Sequence, residues 1–273
     1  MADKTLFIAC WVAAILIGAV FCFLIGNILW RGITVLNWDF ITSSPINSGR
    51  EGGIAPMLVS TLLLLVLSLT IALPTGICSA IYLSEYAQPQ QKLYRVIRHT
   101  LNTLAAIPSI VMGMFGFAFF VVVLHMGFSI LSGALTLSLM ILPLLIRNIE
   151  DSLRHIPLIY RQNALALGLS KTRTIFQILL PQVRHSIFSA IILASGRAMA
   201  ETAALLFTAG YVMRMPDSIM DSGRSLSVHI FDLVVNVPGG EDAAYGSAVV
   251  LLCFILLINL LTNSLDKQFK HRV

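Results

Sequence analysis

Four long stretches of this chain contain no Asp, Glu, Lys or Arg, and they limit its fold more than any other feature. They cover residues 5–30, 52–84, 99–146 and 243–265. About 20 apolar residues cross a bilayer as one helix, so the third stretch, with 48 residues, holds two spans. The sequence HMGFS at 125–129 is the expected hinge between them. An ordinary soluble domain is excluded, because only 11% of the residues are charged and the mean hydropathy is +0.87.

A further apolar segment, residues 186–211, carries only two charged side chains, Arg197 and Glu201. With it, the sequence predicts an all-α membrane protein with six transmembrane helices. The first apolar run is 26 residues long, whereas a signal peptide has a short apolar core followed by a small-residue cleavage site. We therefore expect the first helix to be retained.

The distribution of Lys and Arg predicts the orientation of the helices, because basic flanks stay in the cytoplasm. With both termini in the cytoplasm, the inner segments hold thirteen of the 18 basic residues and Arg197 lies in a span. The outer segments hold the remaining four, which are Arg31, Arg50, Arg214 and Arg224. The polar segment between the fourth and fifth spans is then cytoplasmic. The excess of basic residues follows from this topology and needs no nucleic-acid partner.

Nothing in the sequence points to a cofactor or a metal site. The four cysteines lie in predicted spans without CxxC spacing, and we interpret them as small buried apolar residues. The histidines at 125, 155, 185, 229 and 271 form no HExxH or similar pair. We expect each of these histidines to be solvated or locally hydrogen-bonded.

Proline and glycine inside the spans predict kinks and close helix contacts. Pro74 is expected to kink the second span, and Pro143 to break the fourth span near its inner end. Gly113 and Gly116 lie on roughly one face of the third span and allow another backbone to approach closely. Two interpretations remain open, a bundle packed for rearrangement and ordinary packing of membrane helices.

The segment Tyr160–Pro181, YRQNALALGLSKTRTIFQILLP, forms a polar island between the fourth and fifth spans. The sequence predicts a helix over 156–167 that ends in a left-handed turn at Gly168. Ser170 suits the N-cap of a second helix over 172–180, which Pro181 interrupts.

The first helix of the island has a composition that suits docking into a groove on a partner protein. Ala164 and Ala166 keep the helix slim, while Leu165 and Leu167 offer apolar contacts. A stiff helix enclosed by a groove transmits force to the chain on either side of it.

The island resembles the cytoplasmic signature of the membrane subunits of ABC-type importers. That signature reads Glu-Ala-Ala, three residues, Gly, nine residues and then Ile-x-Leu-Pro. Here Gln162 stands in place of the Glu and Asn163 in place of the first Ala, whereas the remaining spacing matches. The resemblance implies a type I (MetI-like) permease of ABC importers. It also implies a set of residues that couple to the ATPase, namely Gln162, Asn163, Ala164, Gly168, Ile178, Leu180 and Pro181.

Longer runs are similar to the A-type permease subunit of high-affinity phosphate importers. They are GGIAPMLVSTLLL, ALPTGICSAIYLSEYA, AIPSIVMGMFGF, GRAMAETAALLFTAG and SLSVHIFDL, and they cover most of the chain from Gly52 onward. The resemblance implies a path for inorganic phosphate across the bacterial inner membrane. The implied partners are a related second permease in a heterodimer, an ATPase dimer and a periplasmic phosphate-binding protein. ATP hydrolysis then belongs to the ATPase, in agreement with the absence of a GxxxxGK[ST] loop from this sequence.

The same resemblance suggests a division of the chain into three parts. Residues 1–53 form an N-terminal transmembrane helix and a periplasmic segment. Residues 54–266 form the MetI-like transmembrane domain, with a cytoplasmic coupling loop at 148–185, and residues 267–273 form a cytoplasmic tail.

Arg197 and Glu201 are the two charged residues within a predicted span, where each costs roughly 2.5–3.5 kcal/mol on insertion scales. Spaced by four residues, they are expected to share one helix face and to neutralise each other. One interpretation is that the pair lines the translocation path, where the guanidinium of Arg197 offers forked donors to an oxyanion. The other is a structural ion pair that packs the bundle.

The outer segments 31–53 and 213–245 are the expected contact surfaces for a binding protein. Arg214 and Arg224 are candidate contacts, with simple solvation as the alternative.

Other cargoes and two other classes of membrane protein are alternatives to a phosphate importer. Sulfate, molybdate and phosphonate are alternative cargoes for an importer. An ion-coupled secondary transporter would show inverted repeats with broken helices at corresponding places, and Pro74 and Pro143 do not form such a pair. An intramembrane hydrolase would need a nucleophile and a base, such as a GxSxG serine and a histidine in a span. The sequence contains no GxSxG motif.

Overall fold

The computed structural model describes residues 2–88 and 90–270, and helices dominate this part of the chain. The α-helices are α1 (Ala2–Gly32), α2 (Trp38–Thr42), α3 (Ala55–Ile81), α4 (Lys92–Ala106), α5 (Ser109–Gly116), α6 (Ile130–His155), α7 (Leu158–Ala166), α8 (Lys171–Thr174), α9 (Leu180–Gln182), α10 (Arg184–Ala200), α11 (Ala203–Thr208), α12 (Leu226–Val235) and α13 (Glu241–Lys270). π-Helical turns occupy Tyr82–Tyr86, Phe117–Val123 and Ile175–Leu179. A short antiparallel hairpin pairs β1 (Pro45–Ile46) with β2 (Glu51–Gly52) around a 3-10 turn at Asn47–Gly49.

The six predicted spans correspond to four continuous helices and two bent helix pairs. The continuous segments, at 6–32, 55–86, 130–155 and 241–262, are long and apolar enough to cross a bilayer. The third span is bent by 106° between 92–106 and 109–123. Ile107 has an extended backbone there because the ring of Pro108 disfavours a helical conformation at the preceding residue.

The fifth span is also bent, by 65° between 171–182 and 184–200. The break is at Val183, whose ψ is 7°, rather than at Pro181 as predicted. Pro181 sits near the start of α9, where a missing backbone N–H costs little.

α3 and α6 pack along each other and form the centre of the bundle, with α10 packed on both. Apolar side chains from these helices form the main buried cluster, and the Ser138 hydroxyl donates across the interface to the Ser68 carbonyl at 3.0 Å. Pro143 lies inside α6, which continues without interruption to His155. The prediction that Pro143 breaks the fourth span is therefore wrong, because packing on both sides holds the helix together around it.

α1 lies at the edge of the bundle, where it packs against α13. Gly32 allows its last turn to approach the Tyr245 carbonyl, and the Arg31 guanidinium lies 5.2 Å from the centre of the Tyr245 ring. The apolar side chains of α1 remain largely exposed.

The cysteines and the C-terminal segment differ from the expectations drawn from the sequence. Cys10, Cys22, Cys78 and Cys253 are free, as expected, but all four are exposed on this chain, so the prediction that they are buried is wrong. The predicted tail at 267–273 begins inside α13, and residues 271–273, with His271, lie outside the described residues.

Gly113 and Gly116 bring α5 into close contact with its neighbours, as predicted. A Cβ at Gly113 would lie 2.7 Å from the Cα of Ala204 in α11, and one at Gly116 would lie 2.3 Å from the Thr136 hydroxyl in α6. Both glycines are buried. The glycines thus let the α5 backbone approach the Ala204 backbone in α11 and the Thr136 side chain in α6 more closely than a larger residue would permit.

We predict that Gly113→Leu destabilises the folded protein by about 1–3 kcal/mol, because the side chain would have to displace the α11 backbone. The measurement is the thermal unfolding midpoint in detergent. Gly18→Leu is the matched control, since no described atom lies within 4 Å of a Cβ at Gly18. Equal midpoints for the two variants would contradict this packing.

Candidate functional site

The first helix of the polar island ends in the predicted left-handed turn. Gly168 has a φ of +74°, its N–H donates to the Leu165 carbonyl at 2.9 Å, and the Leu169 N–H donates to the Ala164 carbonyl at 3.0 Å. These two bonds define a Schellman motif, which satisfies carbonyls that the helix end leaves free. The prediction for Gly168 is confirmed, although the helix begins at Leu158 rather than at Ile156.

The second half of the island is helical but divided. The Ser170 hydroxyl caps α8 by accepting from the Arg173 N–H at 3.4 Å, as predicted. The chain then continues through a π-helical turn into α9. Ile178 and Leu180 are half-buried against the main apolar cluster, and Pro181 is exposed. The Ile-x-Leu-Pro end of the island therefore attaches it to the membrane bundle.

The outward surface of the island differs in one respect from the prediction. Gln162 and Asn163 are exposed, and the side chains of Leu165 and Leu167 are 66% and 78% exposed. Ala164, in contrast, is buried within the chain. The expectation that Ala164 slims the face offered to a partner is wrong, because its methyl group points inward and leaves the leucines and polar residues on the outside.

An ion pair that the sequence analysis missed joins the island to α3. Arg161 donates to both carboxylate oxygens of Glu85, at 2.5 and 3.1 Å, and to the carbonyls of Leu153 and Ile156. The Lys171 ammonium donates to the Glu85 carbonyl. Seventy-six residues separate Glu85 from Arg161, so no local spacing rule points to the pair. The available signal was an acid directly after an uncharged stretch of 33 residues.

A second buried carboxylate lies near the C-terminal end of α6. Glu150 is 0% exposed, and its Oε1 accepts from Arg98 of α4 at 2.9 Å and contacts Arg154 at 3.0 Å. The Tyr94 hydroxyl accepts from both arginines at 3.1 Å. Two cations at Oε1 offset part of the cost of burying the carboxylate, whereas Oε2 has no hydrogen-bond partner among the described residues. The contact with Arg98 also attaches α4 to the end of α6.

Arg197 and Glu201 do not form the predicted helical pair. α10 ends at Ala200, and Glu201 has an extended backbone, with φ −72° and ψ 128°. Among the described residues, no ion pair joins Arg197 to an acid. Arg197 is instead exposed on an outward stripe of α10 that contains Ser189, Leu193 and Ala200. The spacing of four residues was misleading because the helix breaks before the second residue.

The segment that follows is held by α12. The Ser227 hydroxyl donates to the Glu201 carbonyl at 2.7 Å. Arg224 is buried, pairs with Asp232 at 2.8 Å and donates to the Tyr211 carbonyl. The prediction of Arg224 as a surface contact is therefore wrong, whereas Arg214 is exposed.

His229, on α12, is neither solvated nor locally hydrogen-bonded within the described part of the chain, so the prediction for this histidine is wrong. It is fully buried, and neither ring nitrogen has a hydrogen-bond partner among the described residues. Burial lowers the pKa of His229 to about 4, and the positive charge of Arg224 adds to this effect while Asp232 opposes it. The imidazole is therefore neutral near pH 7. Its ring lies where a Cβ at Gly49 would be, so it packs α12 against the turn of the hairpin.

Comparison with known proteins shows that the chain is similar to membrane permeases of comparable length. Residues 72–273 match the family described as binding-protein-dependent transport system inner membrane component. The chain is 35% identical to a probable ABC transporter permease protein YqgI of Bacillus subtilis, over 91% of this chain and 88% of that protein. It is 30% identical to the phosphate transport system permease protein PstA 2 of Mycobacterium bovis, over 90% and 81%. It is 32% identical to a probable phosphate transport system permease protein PstA of Methanocaldococcus jannaschii, over 85% and 79%.

Solved structures with the same fold are found among ABC transporters. The fold is similar to that of a chain of the MetNI methionine ABC transporter in an inward-facing conformation, with a TM-score of 0.60, 18% identity and coverage of 80% of this chain and 94% of that chain. It is also similar to a chain of a bacterial alginate ABC transporter, with a TM-score of 0.69, 13% identity and 94% coverage of both chains. At these identities the likeness concerns the fold alone, and it confirms the predicted type I (MetI-like) fold.

We predict that Glu150→Gln destabilises the protein by about 3 kcal/mol, because two arginines would then face each other without a neutralising carboxylate. The matched control is Glu51→Gln. Glu51 is exposed and lies 3.6 Å from Arg50, a surface pair that contributes at most about 1 kcal/mol. Thermal unfolding in detergent compares the two variants, and a Glu150 variant as stable as the control would rule out the assigned role.

Proposed function

The chain belongs to the family of binding-protein-dependent transport system inner membrane components, and we propose from this premise that it forms the path by which an ABC importer carries inorganic phosphate across the inner membrane. Members of this family are multi-pass membrane permease subunits, and a separate ATPase hydrolyses ATP. They work with a second permease and a substrate-binding protein. For this chain, the proposal specifies a heterodimer of permeases, an ATPase dimer and a periplasmic phosphate-binding protein.

The observation that carries the proposal is the island of residues 160–181. It presents an exposed helix with polar and apolar side chains, Gln162, Asn163, Leu165 and Leu167, above a base that is fixed to the bundle. An exposed apolar surface rimmed by polar groups is typical of a protein contact. We infer that this surface docks into a groove on the ATPase, that Gly168 sets the angle between its helices, and that Ile178, Leu180 and Pro181 pass motion to α10. Ala164, which is buried, then packs the docking helix α7 against the rest of the chain.

The exposed stripe of α10 supports a translocation path at the surface of this subunit. Arg197 is too costly to leave unpaired against lipid, so we infer that the stripe faces the second permease or water. A guanidinium in such a path suits an oxyanion, because it presents several donors in a fixed fork. Glu201, at the break after α10, would place a carboxylate at the outer end of the same path.

Topology and domain boundaries form part of the same proposal. The basic residues favour cytoplasmic termini, with the coupling loop at 148–185 inside and the segments at 31–53 and 213–245 outside. The edge position of α1 supports a first unit at 1–53 that is separate from the transmembrane domain at 54–266. The segment 267–273 would be a cytoplasmic tail.

The assignment of phosphate rests on the names of the relatives, together with Arg197. Two of the relatives described above are phosphate permeases by name. Uptake of labelled phosphate and labelled sulfate by vesicles that contain the complete complex tests this choice. Competition by excess sulfate, or uptake of sulfate alone, would reassign the cargo.

We predict that Gly168→Val abolishes uptake while membrane insertion remains normal, because a β-branched residue at φ +74° costs about 1–2 kcal/mol and redirects the helix that follows. Gly168→Asn is the matched control, since Asn tolerates this conformation. No described atom lies within 4 Å of a Cβ at this position, so a clash does not explain the loss. Normal uptake by the Val variant would refute the coupling role.

We predict that Arg197→Gln lowers phosphate uptake by about tenfold or more, as expected for the loss of hydrogen bonds from a charged group. Assembly and thermal stability should be unchanged, because Arg197 has no ion-pair partner among the described residues. Arg95→Gln, at an exposed position of α4, is the control. If Arg197→Gln lowers the unfolding midpoint and leaves uptake intact, the residue is structural and the path lies elsewhere.

A further inference from the structure

We propose that the Glu85–Arg161 ion pair transmits movement of the island to α3, so that Glu85 is a positioning residue for transport. The inference rests on the proposed function of the island as the ATPase docking site. It adds a second route for force, besides the covalent connections from the island to α6 and α10.

The geometry of Arg161 makes it a junction between three helices. Arg161 belongs to α7, and its guanidinium donates to both carboxylate oxygens of Glu85, just beyond the end of α3. It also donates to the Leu153 and Ile156 carbonyls at the end of α6, at 2.9 and 3.0 Å. The side chains of Glu85 and Arg161 are only 7% and 19% exposed. A bidentate pair shielded from water resists separation, unlike an exposed pair.

The second helix of the island attaches to the same point. The Lys171 ammonium, at the first residue of α8, donates to the Glu85 carbonyl and lies 4.2 Å from the centre of the Tyr86 ring. α7 and α8 therefore hold two consecutive residues of one turn, and displacement of either helix pulls on the same end of α3.

The turn that carries Glu85 is built for this attachment. Residues 82–86 form a π-helical turn that continues α3 and ends at Ala87, where the backbone becomes extended. π-Helical turns insert an extra residue and occur frequently at functional sites. Since α3 packs along α6 at the centre of the bundle, movement of its cytoplasmic end reaches the core directly.

A purely structural clamp would hold the island without passing force, and the two roles differ in a measurable way. Loss of a structural clamp would release the ATPase or lower the unfolding midpoint. Loss of a transmitting link would leave the ATPase bound and allow ATP to be hydrolysed without transport. The ratio of phosphate imported to ATP hydrolysed therefore separates the two.

The experiment uses the complete complex, reconstituted with the ATPase, the second permease and the phosphate-binding protein in lipid vesicles. Glu85→Gln, Arg161→Gln and the double variant are compared with wild type and with the control Arg95→Gln, at an exposed position of α4 outside the island. We expect phosphate imported per ATP hydrolysed to fall about tenfold in each single variant, with the copurified ATPase unchanged. The double variant should lose no more than either single one, because both changes remove the same link.

Three outcomes would overturn the inference. They are a normal transport ratio in Glu85→Gln, losses that multiply in the double variant, and loss of the ATPase from either single variant. Gly168→Val in the same vesicles separates this inference from the docking role. If it abolishes transport while Glu85→Gln has no effect, docking stands and the Glu85 link is wrong. If Gly168→Val transports normally, the docking role itself is wrong.

Discussion

The cost of placing charge in hydrocarbon, roughly 2.5–3.5 kcal/mol for each residue on insertion scales, determines where the charged side chains of this protein lie. Arginines and acids near the C-terminal ends of α3 and α6 neutralise one another, with Glu150 between Arg98 of α4 and Arg154 and with Glu85 against Arg161. On the opposite side, Arg224 pairs with Asp232. Arg197 differs from these arginines, because no acid pairs with it in the described part of the chain. Arg197 is therefore the exposed arginine of α10 for which we propose a place in the translocation path.

The island gains its rigidity from two kinds of interaction at different scales. Backbone hydrogen bonds around Gly168 and the Ser170 cap fix the angle between α7 and α8. Charged side chains, chiefly Arg161 and Lys171, then fix that helical hairpin to the end of α3. A rigid hairpin whose base is fixed to the bundle can transmit a displacement from a protein docked on its exposed surface. A flexible loop would deform and leave the bundle unmoved.

Sequence reasoning predicted the features that depend on local chemistry. The apolar runs gave the number of spans, the glycine at 168 gave the left-handed turn, and Gly113 and Gly116 gave the close contact of α5 with its neighbours. It failed where tertiary packing decides the outcome. Pro143 does not interrupt α6, and the break before Glu201 separates it from Arg197. The Glu85–Arg161 pair joins distant parts of the chain, so periodicity within one helix could not reveal it.

We propose that this subunit imports its cargo with energy from a separate ATPase, and uptake by reconstituted vesicles then depends on that ATPase. Vesicles that contain both permeases, the ATPase and the binding protein are supplied with labelled phosphate, with or without ATP at the ATPase side and with or without an imposed proton or sodium gradient. We expect uptake that requires ATP and the ATPase and that persists when every ion gradient is collapsed. Uptake driven by an ion gradient in vesicles that lack the ATPase would instead identify an ion-coupled carrier and rule out the proposed function.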